Sequence, residues 1–303
     1  MPTRVTMGKQ KAAAERMKAM WIRRERIRRL TGLVVASCLL LGMLSGCRFT
    51  EIAIARAHSR ERFVPTQSNP DVRYVPGSQI MADRVAKALA HSREVVEQTH
   101  GAAFKHAPRV FVCNTDCFLT FVGPVSREAP ATQSGDAVFM NDDVLRIREE
   151  QRGMPMEGFL THELAHLLLY QRAGMLGYLR VPEWFKEGIA VVVSNGVGIQ
   201  SCTPTEAAQV ILAGNTFDPG EGGSLFRSKG PSSYGLSASV FYREAALFVE
   251  FLIEQNPMAF RSALTDVLDG RDFQASFTRA YDRSIASFWP KFVASVTPLA
   301  RKP

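Results

Sequence analysis

The segment of residues 156–172 constrains the fold most, because it combines a strongly apolar helix with a cluster of polar side chains. Leucine is its commonest residue, and apolar side chains surround His162, Glu163 and His166. Residues four positions apart lie on the same face of a helix, so the two imidazoles share one face. Glu163 lies one residue further round. The helix therefore presents two histidines and a carboxylate at one place.

This arrangement, H-E-x-x-H on a helix, predicts a zinc site. Neutral imidazole is a common zinc ligand, and Glu163 is placed to take a proton from a water molecule at the metal. The alternative is a helix that carries these residues by chance. The motif alone is only moderately specific, so the interpretation depends on a third ligand elsewhere in the chain.

A second segment, residues 181–190, supplies that ligand. Pro182 is suited to the first turn of a helix, which places Glu187 about one turn further on. Gly188 has no side chain to obstruct packing against the helix that carries the histidines. We predict Glu187 as the third ligand. Glu183 is the competing carboxylate, and its alternative role is an acidic residue in the first helical turn, where the helix dipole favours it.

With H-E-x-A-H followed by P-x-W-x-x-E-G-x-A, the chain resembles the gluzincin metallopeptidases, the group that contains thermolysin and the aminopeptidase-N-like enzymes. The closest likeness is to their peptidase-MA-like bacterial members. The resemblance implies a zincin-like fold, zinc bound by His162, His166 and Glu187, and Glu163 as general base. It covers about residues 80–296 in element order, but only the two motifs are sharp.

Two weaker correspondences follow from the same resemblance. Residues 137–141 resemble the edge strand that pairs with substrate backbone in this group, and an ordinary structural strand fits the sequence equally well. Tyr242 occupies a position at which related sequences often carry a tyrosine that steadies the oxyanion of the reaction, with Tyr234 as the second candidate. For either residue, the alternative is an aromatic that only packs among helices.

The N-terminal residues predict export and lipidation. Residues 1–46 hold ten Lys or Arg against two Glu, so the remainder has 27 basic and 27 acidic residues and lacks the charge expected of a nucleic-acid-binding protein. The apolar run 33–44 is shorter than the about 20 residues of a membrane span and suits a secretory signal. Cys47 and the residues Leu-Ser-Gly before it resemble the bacterial lipobox. In that motif the cysteine is acylated. A plain secretory signal or an uncleaved anchor is the alternative.

The order of predicted elements favours an α+β fold. We assign residues 1–46 to a lipoprotein signal peptide, 47–79 to a tether and 80–300 to a zincin-like metallopeptidase domain. Two predicted strands, 109–113 and 136–141, follow a predicted helix. The predicted helices span residues 78–98, 156–172, 182–195, 204–213, 235–255, 257–268, 272–281 and 284–296.

The other segments and residues carry less information. The stretch 214–233 is rich in Gly, Pro and Ser and is predicted to be a long loop, either a lid or a mobile surface. Cys113 and Cys117 are expected to form a small-loop disulfide or to remain thiols, rather than to bind a metal. Cys202 is expected to be a buried small hydrophobe. The histidines without paired spacing are expected on the surface, and they are His58, His91, His100 and His106.

Together these features predict a membrane-anchored zinc metallohydrolase, a peptidase by resemblance, in the bacterial cell envelope and facing the periplasm. The expected partners are a peptide or protein substrate and a lipid bilayer reached through Cys47, not nucleic acid. A catalytically inactive, zinc-stabilised binding or assembly lipoprotein is the rival, but the intact Glu163 and the set of only three protein ligands argue against it. Hydrolysis of a non-peptide amide, such as one in cell-wall material, would use the same site.

The lipobox yields a first prediction, that Cys47 is the acylated N-terminal residue of the mature protein. The basic segment, the short apolar run and the small residues before the cysteine all favour processing at this position. Mass spectrometry of the protein extracted from membranes should find a lipid-modified Cys47. A mature chain that begins at any other residue would contradict the prediction.

Overall fold

Helices and a small mixed sheet make up the protein, which is described here from a computed structural model. The structure describes residues 62–122, 127–221, 223 and 228–301. All of them belong to one compact unit, His58–Pro303. The sheet lies towards the N-terminal side of this unit and helices dominate the rest, so the predicted α+β class is confirmed. The predicted signal peptide and lipobox lie outside the described residues.

The sheet contains five strands. They are β1 (Val64–Pro65), β2 (Val72–Tyr74), β3 (Val110–Cys113), β4 (Ala131–Gln133) and β5 (Val138–Asn141). Their order across the sheet is β1-β2-β3-β5-β4. The three inner strands run parallel, and each outer strand runs antiparallel to its neighbour. β4 is therefore an edge strand, and β5 is covered by a strand on both sides.

The two central strands bury both of their faces, because alternate side chains point to opposite sides of a strand. On one face, the valines of β3 and β5 join the main hydrophobic core. On the other face, Phe111 and Phe139 stack with their ring centroids 5.1 Å apart. Phe63 lies 5.0 Å from Phe111, and Phe121 lies 5.7 Å from Phe139. The sheet is thus packed between two apolar layers.

The sheet begins earlier than the sequence predicts. The prediction that residues 47–79 form a tether is wrong from residue 62 onward. These residues belong to the sheet, because β1 pairs with β2 and β2 pairs with β3. Phe63 and Val72 are buried within the domain. Strands of two or three residues contain too little alternation to be recognised among the charges and prolines of this segment.

The helices account for most of the described chain. They are α1 (Gln79–His100), α2 (Thr115–Val122), α3 (Asp142–Arg152), α4 (Met156–Arg180), α5 (Glu183–Val193), α6 (Pro204–Leu212), α7 (Ala238–Gln255), α8 (Pro257–Leu268), α9 (Phe273–Tyr281) and α10 (Trp289–Val296), with short 3-10 turns at Pro231–Tyr234, Ile285–Phe288 and Leu299–Arg301. The sequence predicts all the α-helices except α2 and α3. The predicted helix 284–296 comprises the 3-10 turn Ile285–Phe288 and α10, and the other two turns are not predicted. α4 continues to Arg180, beyond the predicted end, after a break in its helical backbone at Gly174.

The crossing of α5 and α7 depends on a glycine. A Cβ atom on Gly188 would lie 2.7 Å from the carbonyl oxygen of Ala245 and 2.8 Å from Cγ2 of Val249. Any larger residue would therefore push the two helices apart. The expectation that Gly188 packs against the histidine helix is wrong, since the missing side chain makes room for α7.

Aromatic side chains fill the core beside this crossing. Trp184 stacks on Phe217 with ring centroids 5.3 Å apart and contacts Phe248 at the same distance. Phe217 belongs to the predicted loop 214–233, so the core anchors this loop at one point. The backbone N–H of Gly223 donates to the carbonyl of Arg180 at 3.0 Å and provides a second anchor.

α7 also contains a buried acid. Glu244 is 0% exposed. Burial raises the pKa of its carboxyl to about 8, and an interaction with the backbone of Phe217 offsets only part of this effect. Between pH 4.5 and about 8, Glu244 therefore holds a proton that an ordinary glutamate has lost.

The remaining predictions for single residues have mixed outcomes. His100 is buried, so its predicted surface position is wrong, and burial lowers its pKa to about 4. His91 and His106 are exposed as predicted, and His58 lies outside the described residues. Cys113 and Cys117 form a disulfide, one of the two expected states, and Cys202 is a buried free cysteine as predicted. Among the described helices, none is both long and apolar enough to cross a membrane.

Candidate metal centre

The three side chains predicted as metal ligands meet inside the protein. His162 and His166 lie on α4, and Glu187 lies in the second turn of α5. The two Nε2 atoms are 3.2 Å apart. Oε2 of Glu187 lies 3.3 Å from Nε2 of His162 and 3.6 Å from Nε2 of His166. None of the three residues is more than 8% exposed, so two segments that are distant in sequence form one buried cluster.

The spacing of these atoms fits a bound metal ion. Ligand bonds of about 2.0–2.2 Å in a tetrahedral arrangement separate neighbouring ligand atoms by about 3.3–3.6 Å. The three observed separations lie within about 0.1 Å of this range. Two Nε2–H groups so close together would bring their protons against each other, whereas two bare nitrogens and a carboxylate oxygen can share one cation. The cluster can therefore hold a metal ion.

The charges within the cluster support each other. Burial disfavours an ionised Glu187, but the imidazoles of His166 and His162 outweigh burial and lower its pKa. Burial also opposes a proton on His166, yet the carboxylates of Glu187, Glu163 and Glu183 outweigh it and raise its pKa. Glu187 is thus kept as a carboxylate, the form that binds cations. Because a metal ion competes with the proton for the histidines, its affinity should increase with pH.

The cluster opens into a cavity of about 520 Å³. Glu163 lines this cavity beside the three ligand residues. Oε2 of Glu163 accepts a hydrogen bond of 2.6 Å from the backbone N–H of Gln133, at the end of β4. The edge of the sheet therefore fixes the carboxylate that the sequence assigns as general base. Residues 129–133 form the adjoining wall of the cavity.

The edge strand at the site is β4, not the strand that the sequence suggested. The segment 137–141 resembles the substrate-binding edge strand of the gluzincins, but β5 lies between β3 and β4 and has no free edge. β4 contains only three residues, and it lies between Pro130 and the turn at Gly135. A pattern of alternation cannot be recognised in so short a strand, so the sequence offered no signal for it.

The two candidate tyrosines occupy different environments. Tyr242 lines the cavity, and its ring centroid lies 6.4 Å from that of His162. The Glu187 carboxylate and then burial raise the pKa of Tyr242 well above its usual value. Tyr234 is not among the residues that line the cavity, and it donates a hydrogen bond of 2.7 Å to Glu221. Of the two tyrosines, Tyr242 is the one beside the cluster of the three predicted ligands.

Two further cavity residues were not predicted, Lys186 and Tyr178. Nζ of Lys186 lies 2.7 Å from Oε2 of Glu183 and 4.5 Å from the ring centroid of Tyr178. Glu183, the competing ligand candidate, also accepts a hydrogen bond from Ser228 and does not belong to the ligand cluster. A lysine three residues after a glutamate on the same helix is a signal that could have revealed this ion pair. Tyr178 offered no such signal.

Comparison of the chain with protein-family models and with curated proteins found no match. The arguments for its function therefore come from the residues of the site and their geometry.

The geometry of the cluster predicts one divalent metal ion per chain. His162→Ala, His166→Ala and Glu187→Ala should each lose the ion, because each removes one of three ligand atoms. Glu163→Gln should retain it, since this residue lies beside the cluster and is not part of it. Elemental analysis of the purified variants measures the metal content.

The matched control for the ligand variants is Glu183→Ala, which removes a carboxylate from the same helix and the same cavity. This variant should keep the ion, because its carboxylate binds Lys186 and Ser228. Loss of the ion from Glu183→Ala together with its retention in Glu187→Ala would show that the assignment of the third ligand is wrong.

Proposed function

We propose that the protein is a zinc-dependent metallopeptidase with a zincin-like fold, held at the membrane through Cys47 and facing the periplasm. The observation that carries the proposal is the arrangement of Glu163 beside a buried cluster of two histidines and a glutamate, all four in one open cavity. A site with three protein ligands leaves one position for water or substrate, which is characteristic of catalytic zinc sites.

The ligand set favours zinc among the common divalent ions. Two imidazoles and one carboxylate are a frequent catalytic zinc set, while magnesium and calcium prefer oxygen ligands alone. When bound, zinc would polarise the carbonyl of the substrate and lower the pKa of water from about 15.7 towards about 7. The burial of His162, His166 and Glu187 would hold the ligand atoms in place for that ion.

Glu163 has the position and the surroundings of a general base. The N–H of Gln133 holds one carboxylate oxygen, Oε2, and thereby fixes the orientation of the whole group. A carboxylate fixed in this way can accept a proton from the attacking water and then pass it to the leaving amine. Such positioned proton transfer contributes typically about 10²–10⁴-fold to a rate.

A peptide is the substrate class that the architecture favours. β4 is an edge strand in the described sheet, and its residues form a wall of the cavity beside Glu163. An extended peptide can add to such an edge through backbone hydrogen bonds, which would place one of its peptide bonds near the metal cluster. The resemblance of the two motifs to the gluzincins supports the same substrate class. The proposal therefore assigns the edge-strand role to β4.

Tyr242 is proposed to stabilise the oxyanion that forms when water adds to the carbonyl. Tyr242 lines the cavity with its ring centroid 6.4 Å from that of His162, close to where the negative charge would develop. The raised pKa keeps the phenol protonated at neutral pH, so it can donate a hydrogen bond. A single donor of this kind matters mainly in the transition state.

The peptidase proposal is tested with a broad peptide library. The zinc-loaded protein should cleave peptide bonds, and Glu163→Gln should retain zinc but lose cleavage, because it keeps the shape of the side chain and removes the base. Mass spectrometry of the digest identifies the products. A protein that binds zinc and cleaves no peptide would instead support the inactive binding lipoprotein, and cleavage restricted to cell-wall amides would support the non-peptide alternative.

The role of Tyr242 is tested by removing only its hydroxyl. Tyr242→Phe should lower the turnover number by about 10²–10³, equivalent to about 3–4 kcal/mol of transition-state stabilisation, with zinc content and fold unchanged. Tyr234→Phe is the matched control, since its hydroxyl binds Glu221 outside the cavity. A turnover number that is nearly the same in Tyr242→Phe and the unmodified protein would assign Tyr242 a packing role.

A further inference from the structure

The loop between α5 and α6, residues 194–203, forms part of the wall of the metal cavity. We refer to it as the α5–α6 loop. Its backbone turns sharply, since Asn195, Gly196 and Gly198 all have positive φ angles. Val197 and Gly198 line the cavity. The loop therefore contributes to the site although it contains none of the proposed ligands or catalytic groups.

Gly198 in this loop lies against the ring of Tyr242. A Cβ atom on Gly198 would lie 3.0 Å from Cδ2 and 3.5 Å from Cε2 of that ring. The backbone of the loop thus occupies one flank of the ring. The hydroxyl lies on the long axis of the ring, so it is displaced only when the whole ring tilts about the Cα–Cβ bond. A movement of the loop that lets the ring tilt would therefore move the hydroxyl away from the cluster.

Arg243, the next residue on α7, ties the loop to the helix. Its Nε donates a hydrogen bond of 2.8 Å to the carbonyl of Cys202, and its Nη2 donates one of 3.2 Å to the carbonyl of Ile199. The guanidinium therefore spans two carbonyls of the loop with its planar fork, which a lysine cannot reproduce. Arg243 does not line the metal cavity but a separate cleft of about 200 Å³ with Glu250.

We propose that Arg243 is a positioning residue for Tyr242. By clamping the α5–α6 loop to α7, it holds Gly198 against the ring. The hydroxyl is thereby fixed beside the cluster of the three proposed ligands. The effect on turnover rests on the proposed function, whereas the effect on the ring does not. Arg243 acts without touching the substrate, since it faces a different cleft.

A double-mutant cycle tests the effect on turnover. Arg243→Met should lower kcat by up to about 10²-fold, the cost of a misplacement of about 1 Å, with little change in KM or zinc content. In the Tyr242→Phe background, the same substitution should cause little further loss, because the hydroxyl that it positions is already absent. Equal losses in both backgrounds would overturn the proposal. Arg243→Lys, which keeps the charge but not the fork, should resemble Arg243→Met.

Gly198→Ala tests the contact itself, with Gly77→Ala as its matched control. Both glycines have similar positive φ angles, +95° at Gly198 and +101° at Gly77, so alanine is strained at both positions. Nothing lies within 4 Å of a Cβ at Gly77, whereas the Tyr242 ring lies 3.0 Å away at Gly198. Gly198→Ala should therefore reduce kcat with zinc retained, and Gly77→Ala should not. Equal kcat values in the two variants would count against the contact.

The position of the ring can be read without any substrate. In protein labelled with ¹³C-tyrosine, the ring signal of Tyr242 is the one that disappears in Tyr242→Phe. Arg243→Met should shift or broaden that signal, and an unchanged signal would overturn the proposal. If the unmodified protein cleaves no peptide, the proposed function fails, and the ring signal still decides whether Arg243 positions Tyr242.

Discussion

The arrangement on which the rest of the structure depends is the contact of the Glu187 carboxylate with two imidazoles in an apolar interior. An isolated carboxylate in such a place would cost several kcal/mol in lost hydration. His162 and His166 offset that cost. For this reason the pKa of the Glu187 carboxyl is lowered although the group is buried. A divalent cation would offset it further. The cluster is therefore stable only if both helices that supply it are held closely together.

The packing around α5 provides that support. On one side, α5 contacts the histidine helix α4, and on the other side it meets α7 at Gly188, where only a glycine fits. Trp184, in the first turn of α5, is enclosed by Phe217, Phe248 and other aromatic rings. Since α7 also contains Tyr242, one helix crossing fixes both a ligand and the tyrosine opposite it. Gly188, which lets these two helices pack together, is the direct neighbour in sequence of Glu187 in the candidate metal centre.

Most of the candidate site could be predicted from sequence because its residues lie on helices with strong periodicity. The pair His162 and His166 follows from helical spacing, and Glu187 follows from its position after a proline in an apolar segment. The long helices of the C-terminal half were recognisable for the same reason. Their lengths give the apolar pattern several turns in which to repeat.

The parts that could not be predicted depend on contacts between distant segments. β1, β2 and β4 contain two or three residues each, and pairing across the sheet, not local sequence, makes them strands. For that reason the sequence predicts the edge strand at 137–141. It also places the start of the domain at residue 80, after β1 and β2. The ring that Lys186 contacts and the helix that packs on Gly188 likewise come from elsewhere in the chain. Nothing within their own segments specifies Tyr178 or α7.

The buried Glu244 links folding of the protein to the proton concentration. Its pKa is raised from 4.5 to about 8 in the folded protein, so between these values the folded chain binds a proton that the unfolded chain releases. Folding is therefore accompanied by proton uptake in this range. The stabilising contribution is complete below pH 4.5 and declines as the pH rises towards about 8. This one carboxyl on the helix that contains Tyr242 thus favours the folded state more in mildly acidic than in mildly alkaline surroundings.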